Sequence, residues 1–367
     1  MNKIWNQCVK ELAQFRRDRL TVALAFLLPL ATLFVFGFAI RLESQNIPLA
    51  VQDFDNSPLS RAYIERLYAT NKFDPVAVSG NDSSSPIDRG KAKATVVIPP
   101  EFERRIQAGE TIQVQTLIDG SDVANARVIQ NSIKFTTRYF IASAGLQSFP
   151  NWVDTEVRLW FNPGNRESLF IVPGVYGITL TLYPSLLVAI AMVRDKEEGT
   201  IVQIYASNIS AMEYLLGKSL AYTLIALAEA IFLIVIGSII WRLGFAGNPI
   251  PLLLGTPIFL LDSVFFGLLI GVTTTDQSSA VQAVGTIKTL SSMLLTGFMY
   301  PISNIPFPLD WLSFIVPSRY YIDLTRDAFV RGTGWAGVWY VFPAFIILGA
   351  IDLAIAWWGL RRMQLPD

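Results

Sequence analysis

Four ionisable side chains, Glu229, Asp262, Lys288 and Asp352, stand inside runs that are otherwise apolar. At the centre of a bilayer such a group costs at least ~2.5–3.5 kcal/mol to insert, so each must face protein or water. Two kinds of chemistry suit the set. Lys288 can neutralise one of the acids as a buried ion pair. Alternatively, an unpaired acid can hold a cation or gate its passage. At ~1.5 Å of rise per residue, Glu229 and Asp262 fall nearer the middle of their runs and are the candidates for that role. Lys288 and Asp352 fall nearer the cytoplasmic side. A second set is consecutive: Arg194, Asp195, Lys196, Glu197 and Glu198, followed by Gly199 and Thr200. It follows one long apolar segment and precedes another. Beyond the glycine runs an apolar stripe of Ile201, Ile204, Tyr205 and Ile209. A short helix carrying that stripe at the membrane surface suits docking into a groove on a cytosolic partner. A plain connector whose charges only fix orientation accounts for the same residues.

Other chemistry is thin. The chain has no histidine, which removes the commonest general base and metal ligand. Its one cysteine, Cys8, allows no intrachain disulfide and makes a cysteine metal site an unattractive reading. Gly217-Lys218-Ser219 is a Walker-like fragment, but Met212 stands where that motif needs its first glycine. The fragment also opens an apolar helix instead of following a strand. No ATP site and no cofactor are therefore expected in this chain. With 29 basic and 29 acidic residues, nothing points to nucleic acid as a partner.

The elements that must position these residues follow from composition. Of 367 residues, 52% are hydrophobic and 16% charged, and the apolar ones gather in runs of bilayer-spanning length. Residues 1–19 carry Ile4, Cys8, Leu12 and Phe15 at helical spacing among basic residues, predicting an amphipathic helix on the membrane surface. Residues 20–40 form an uncleaved first span with a cytoplasmic N-terminus. Residues 41–168 alternate strand and helix patterns, with Ser57 and Pro58 opening a helix and Ile112, Val114, Thr116 and Ile118 alternating as a strand. An inserted extracytoplasmic α/β domain is the expectation. Five further spans are expected at about 169–193, 214–241, 251–272, 280–300 and 338–360. The expected fold is an α-helical integral membrane protein of six transmembrane helices, both termini cytoplasmic. The connection 301–337 is then outside, with "PLDWLSFIVP" as a re-entrant or interfacial piece. Its Arg319, Arg326 and Arg331 run against the positive-inside rule.

Three segments together carry a family resemblance. "RDKEEGTIVQIYASNISAMEYLLGKSLAY", "LLTGFMYPISNIPFPLDWLSFIVPSRYYIDLTRDAFVRG" and "VVIPPEFERRIQAGE" stand in an order and spacing similar to permease subunits of type-2 ABC exporters. They match the subgroup with a large extracytoplasmic domain between the first two spans. The resemblance implies that Arg194, Glu197, Glu198, Gly199, Thr200 and Ile204 belong to a cytoplasmic coupling segment (194–212). This segment would meet a separate ATP-binding subunit, present in two copies and holding ATP and magnesium. It implies that the N-terminal helix touches that subunit. It further implies a second permease chain as homo- or heterodimer partner, a lipid environment in the plasma or bacterial inner membrane, and engagement of a periplasmic adaptor. Glu229, Asp262, Lys288 and Asp352 are candidates for the substrate path. The rival readings are a proton-coupled transporter using Glu229, Asp262 and Asp352, and a membrane receptor. No internal repeat supports the first, and six spans exceed what an anchor needs.

Overall fold

Long uncharged runs leave the backbone no partner but itself, and in this chain they become helices. A computed structural model describes residues 2–39, 46–77, 83–119, 123–143, 166, 168–200, 209–299, 302 and 305–362. In chain order the elements begin with helices α1 (Asn2–Arg17) and α2 (Arg19–Ala39). Then come β1 (Ile47–Asp53), α3 (Pro58–Tyr68), β2 (Phe73–Val76), β3 (Ala94–Ile98), α4 (Phe102–Gln107), β4 (Gln115–Ile118) and α5 (Val123–Ser143). The rest is helical: α6 (Ser168–Glu197), α7 (Ala211–Trp241), α8 (Ile250–Thr273), α9 (Gln277–Leu294), α10 (Pro317–Arg326) and α11 (Val341–Arg362). The chain divides into two units, one of residues 1–40 with 158–367 and one of residues 41–157.

Among the described residues, five helices are long and apolar enough to cross a membrane: Arg19–Phe38, Ser168–Glu197, Ala211–Trp241, Ile250–Thr273 and Trp335–Arg361. The expected span at 280–300 is helical as α9 but is not one of the five. Gln277, Ser278, Ser279, Gln282, Thr286, Lys288, Thr289, Ser291 and Ser292 make it too polar. Helix α6 is apolar on every face and is buried almost without interruption from Ile171 to Val193, as such a helix must be. Helices α2, α7, α8, α9 and α10 surround it. Ser185 on α6 donates to the Ser263 carbonyl of α8 at 2.6 Å, one of the polar links that hold helices together where lipid offers no hydrophobic drive. The outward faces stay apolar: Leu24 and Leu27 on α2, Ile231 and Ile239 on α7, Ile346 and Ile351 on α11.

Two expectations for this unit change. Arg194, Asp195, Lys196 and Glu197 were expected in a loop, but they form the last turn of α6. Basic side chains there complement the helix dipole. The segment 301–337 holds more than an interfacial piece. Helix α10 carries Tyr321, Ile322 and Leu324 into the core, where Tyr321 stacks on Phe259 with ring centroids 4.0 Å apart.

In the second unit the sheet order is β2-β1-β3-β4, with β4 antiparallel to β3 and the other pairs parallel. Strand β3 ends at Ile98 because Pro99 and Pro100 offer no N–H to a ladder. Their opposite numbers on the β4 side are therefore unpaired, and the strand expected from Thr111 begins only at Gln115, opposite Val97. The core is Leu49, Tyr63, Leu67, Val96, Phe102, Ile133 and Phe140. As expected, Ser57 caps α3, accepting from the Ser60 N–H at 3.1 Å.

Candidate coupling site

The charged turn that ends α6 resolves into four separate attachments. The Arg194 guanidinium reaches Asp18 at 3.2 Å. Asp18 itself caps the start of α2 by accepting from the Thr21 N–H at 3.1 Å. The hydrogen bond from the Thr21 hydroxyl, then the contact with Arg194, hold the Asp18 carboxyl below its usual range. Asp195 accepts from Lys218 of α7 at 2.8 Å and from the Tyr214 hydroxyl at 2.6 Å. Lys196 donates to the Val272 carbonyl at 2.7 Å and the Thr274 carbonyl at 2.9 Å, satisfying orphan acceptors at the end of α8. Glu197 accepts from the Gln277 N–H at 3.1 Å at the start of α9. Successive residues on one helical turn point about 100° apart, so one turn grips four neighbours. Gly199 then ends the helix at φ +68°, a left-handed conformation that costs a residue with Cβ. Its N–H returns to the Lys196 carbonyl at 3.0 Å. Glu198 and Gly199 are exposed, and Thr200 is half-buried. Ile201, Ile204 and Tyr205 lie outside the described residues, whereas Ile209 packs against the apolar cluster of α1, α6 and α7.

At the centre of this site is a residue pair that sequence reasoning passed over. Lys218, from the Walker-like fragment, is fully buried and lies 2.9 Å from Glu11 of α1 as well as 2.8 Å from Asp195. Gln7 donates to the other Glu11 oxygen at 2.9 Å. One lysine thus joins α1, α6 and α7 through two carboxylates. Gly217 permits the approach: a Cβ there would stand 2.6 Å from the Gln7 Cβ. The sequence did hold a signal. Glu11 interrupts the apolar stripe Ile4, Cys8, Leu12 and Phe15, and an acid on that face needs a buried cation.

Of the intramembrane charges, Asp262, Lys288 and Asp352 lie close enough to act on one another electrostatically, whereas Glu229 stands apart from them. Glu229 is fully buried, and neither carboxylate oxygen has a hydrogen-bond partner among the described residues. Asp262 is likewise buried with both oxygens unpartnered, and it lies against Gly349 of α11, three residues from Asp352. Lys288 makes no ion pair among the described residues. Its ammonium sits 3.8 Å from the centre of the Phe266 ring, one turn along α8 from Asp262. Lys288 thus combines a cation–π contact with electrostatic attraction from Asp262 and Asp352, without closing the expected direct pair with either. Among the described residues no cluster of histidine, cysteine or carboxylates could hold a metal ion.

These features define a multi-pass membrane protein in which the buried charges Glu11, Asp195 and Lys218 tie helices together. The chain belongs to the ABC-2 family of transporter proteins, whose pattern it matches over residues 19–361. Its relatives include the probable multidrug ABC transporter permease YbhS of Escherichia coli (strain K12), 27% identical over 97% of this chain and 96% of the relative. The probable multidrug ABC transporter permease YbhR of the same strain is 26% identical over 98% and 99%. The linearmycin resistance permease protein LnrN of Bacillus subtilis (strain 168) is 21% identical over 99% of this chain and 100% of the relative. Membership implies a permease subunit, not an enzyme, working with an ABC ATP-binding partner.

Proposed function

We propose that the chain is the permease subunit of an ATP-driven exporter, and that the end of α6 receives the push of its ATP-binding partner. The observation that carries this reading is the fourfold attachment of Arg194, Asp195, Lys196 and Glu197 to Asp18, α7, α8 and α9. A displacement of that turn reaches α1, α2, α7, α8 and α9 together, while Glu198 and Gly199 remain exposed for contact. Two ATP-binding subunits, holding ATP and magnesium, serve two permease chains paired as a homo- or heterodimer. Residues 41–157 stand outside the cytoplasm and are available to an adaptor. The substrate is an amphipathic or cationic drug-like molecule, in keeping with the multidrug permeases YbhS and YbhR and the linearmycin resistance permease LnrN among its relatives. Glu229 and Asp262 line its path.

Efflux from proteoliposomes containing the chain and its ATPase tests this. Glu198→Lys combined with Gly199→Val should leave insertion and folding intact, because Glu198 is exposed and a Cβ at Gly199 meets open space. Strain at the positive φ costs about 1–2 kcal/mol locally. ATP-dependent efflux should fall at least roughly tenfold, the equivalent of about 1.4 kcal/mol of lost coupling. Unchanged efflux would remove the proposal. Glu229 and Asp262, buried with no hydrogen bond to either carboxylate among the described residues, favour one alternative, proton-driven transport. Uptake driven by a proton gradient without any ATPase would establish it.

A further inference from the structure

The shortened β4 leaves a hollow in the second unit. Beyond the Val97–Gln115 pair the ladder stops, with Pro99 and Pro100 standing opposite Gln113 and Ile112, and Ile112 and Val114 line a hollow against α5 and α4. Together with Ile106, Phe102, Ile133 and Phe140 they enclose a cavity of about 620 Å³. Drug-sized ligands occupy cavities of roughly 300–1,000 Å³, so the space suits one organic molecule. The polar atoms of the wall are largely spoken for. Tyr63 and Thr137 pair through their hydroxyls at 2.7 Å, and Thr137 also donates to the Ile133 carbonyl. Glu110 is engaged by Arg105 at 3.1 Å. Two charges remain free, Lys134 and Arg138, both exposed and neither in an ion pair among the described residues. They are four residues apart on α5, one above the other on a single helix face.

We propose that this cavity binds an amphipathic organic anion, with its apolar body against Ile112, Val114 and Ile133 and its acidic head on Lys134 and Arg138. A neutral molecule would gain nothing from the two exposed cations, which water already solvates. A cationic one would meet them at the mouth, and like charges disfavour that partner. An acidic head gains charge-assisted hydrogen bonds, from a fork-shaped donor in the case of Arg138. The proposal stands apart from the exporter reading, since binding here needs neither ATP nor a partner subunit.

Photolabelling the full-length chain in nanodiscs with a diazirine derivative of dodecanoate, followed by peptide mapping, tests it. Saturable labelling is expected on peptides covering 106–114 and 133–141. Excess dodecanoate should compete it away, and dodecyltrimethylammonium should not. Lys134→Glu with Arg138→Glu should weaken that labelling roughly tenfold or more, as expected for losing two charge-assisted contacts. These residues are exposed, so the fold should survive. Ile112→Trp, which fills the hollow, should abolish labelling without altering charge. Absent labelling on these peptides, labelling indifferent to the charge reversal, or equal competition by the cationic detergent would each overturn the proposal. None of those results would bear on coupling through α6.

Discussion

Lys218 shows how much a single buried charge can organise. It is fully buried between two carboxylates, themselves nearly without solvent contact. The net worth of such a cluster relative to an apolar core is small, because desolvation offsets most of the attraction. Breaking it is another matter. Lys218→Met leaves Glu11 and Asp195 with only the part-exposed Lys10, 3.5 and 3.9 Å away, and loss of the buried partner from such a pair costs up to about 3–5 kcal/mol. The variant should melt at markedly lower temperature in detergent, and protease should reach α1 before the remaining helices. Adding Glu11→Gln and Asp195→Asn removes the stranded charges and should restore most of the lost stability. A triple variant as unstable as Lys218→Met would show that the lysine acts through packing and not through charge. The Tyr214 hydroxyl, 2.6 Å from Asp195, remains available to the amide in the triple variant.

Helix ends are where this chain's loops acquire their order, and α4 gives the most direct case. Asp55, in the turn after β1, accepts from the Phe102 N–H at 3.0 Å and the Glu103 N–H at 3.1 Å, capping a helix 47 residues away. Burial works to raise the Asp55 carboxyl, but the hydrogen bonds from Ser57, Glu103 and Phe102 outweigh it and hold it below its usual range. A carboxyl lowered by folding contributes stability above its unfolded pKa, ~3.9, and loses that contribution as pH falls through the folded value. Asp55→Ala should therefore raise hydrogen exchange at Phe102 and Glu103 at neutral pH by the equivalent of about 1 kcal/mol, the usual cost of a lost cap. The gap between variant and parent should close in acid. A gap that persists well below pH ~3.9 would mean the effect is not electrostatic. A local cap such as Ser57 was legible in the sequence because its acceptor and donor lie three residues apart. The cap made by Asp55 was not, since its partners are brought in only by the β1–β3 pairing. The same limit explains the end of α6. The five charges read as a docking segment or a plain connector, yet the partners of the first four come from positions 18, 218, 272 and 277, which no window of sequence contains. Apolar runs, by contrast, announce themselves, and α2, α6, α7, α8 and α11 fall where expected. α9 was read as a span from the apolar residues it does have. Its packed face is Ala280 and Val284 against Ala189 and Val193 of α6, while Ser278, Ser279, Gln282 and Thr286 stay exposed.

At the scale of the whole molecule, function depends on which side of the membrane each unit occupies. The proposal places Glu198 in the cytoplasm and residues 41–157 outside. Arg319, Arg326 and Arg331 argue the other way only if they belong to a free loop, for the positive-inside rule counts short connecting loops. They sit instead on or beside α10, a packed helix. Arg319 donates to Ser313 at 2.5 Å, Arg326 to the Gly297 carbonyl at 2.8 Å, and Arg331 lies 3.5 Å from Asp323. Residues held in this way report on helix packing more than on translocation. The sole cysteine, Cys8, is buried in the α1 contact, so a Cys8→Ser background gives a chain free of thiols. Single cysteines at Arg104 and Glu198, both exposed, then read the two sides independently. A membrane-impermeant maleimide applied to spheroplasts should label Arg104→Cys and spare Glu198→Cys. In inverted vesicles the pattern should reverse. Labelling of both positions from the same side would place the charged end of α6 and the α/β unit together, and the coupling proposal would lose its geometry. An ATPase on the cytoplasmic face could not then push on that turn of α6.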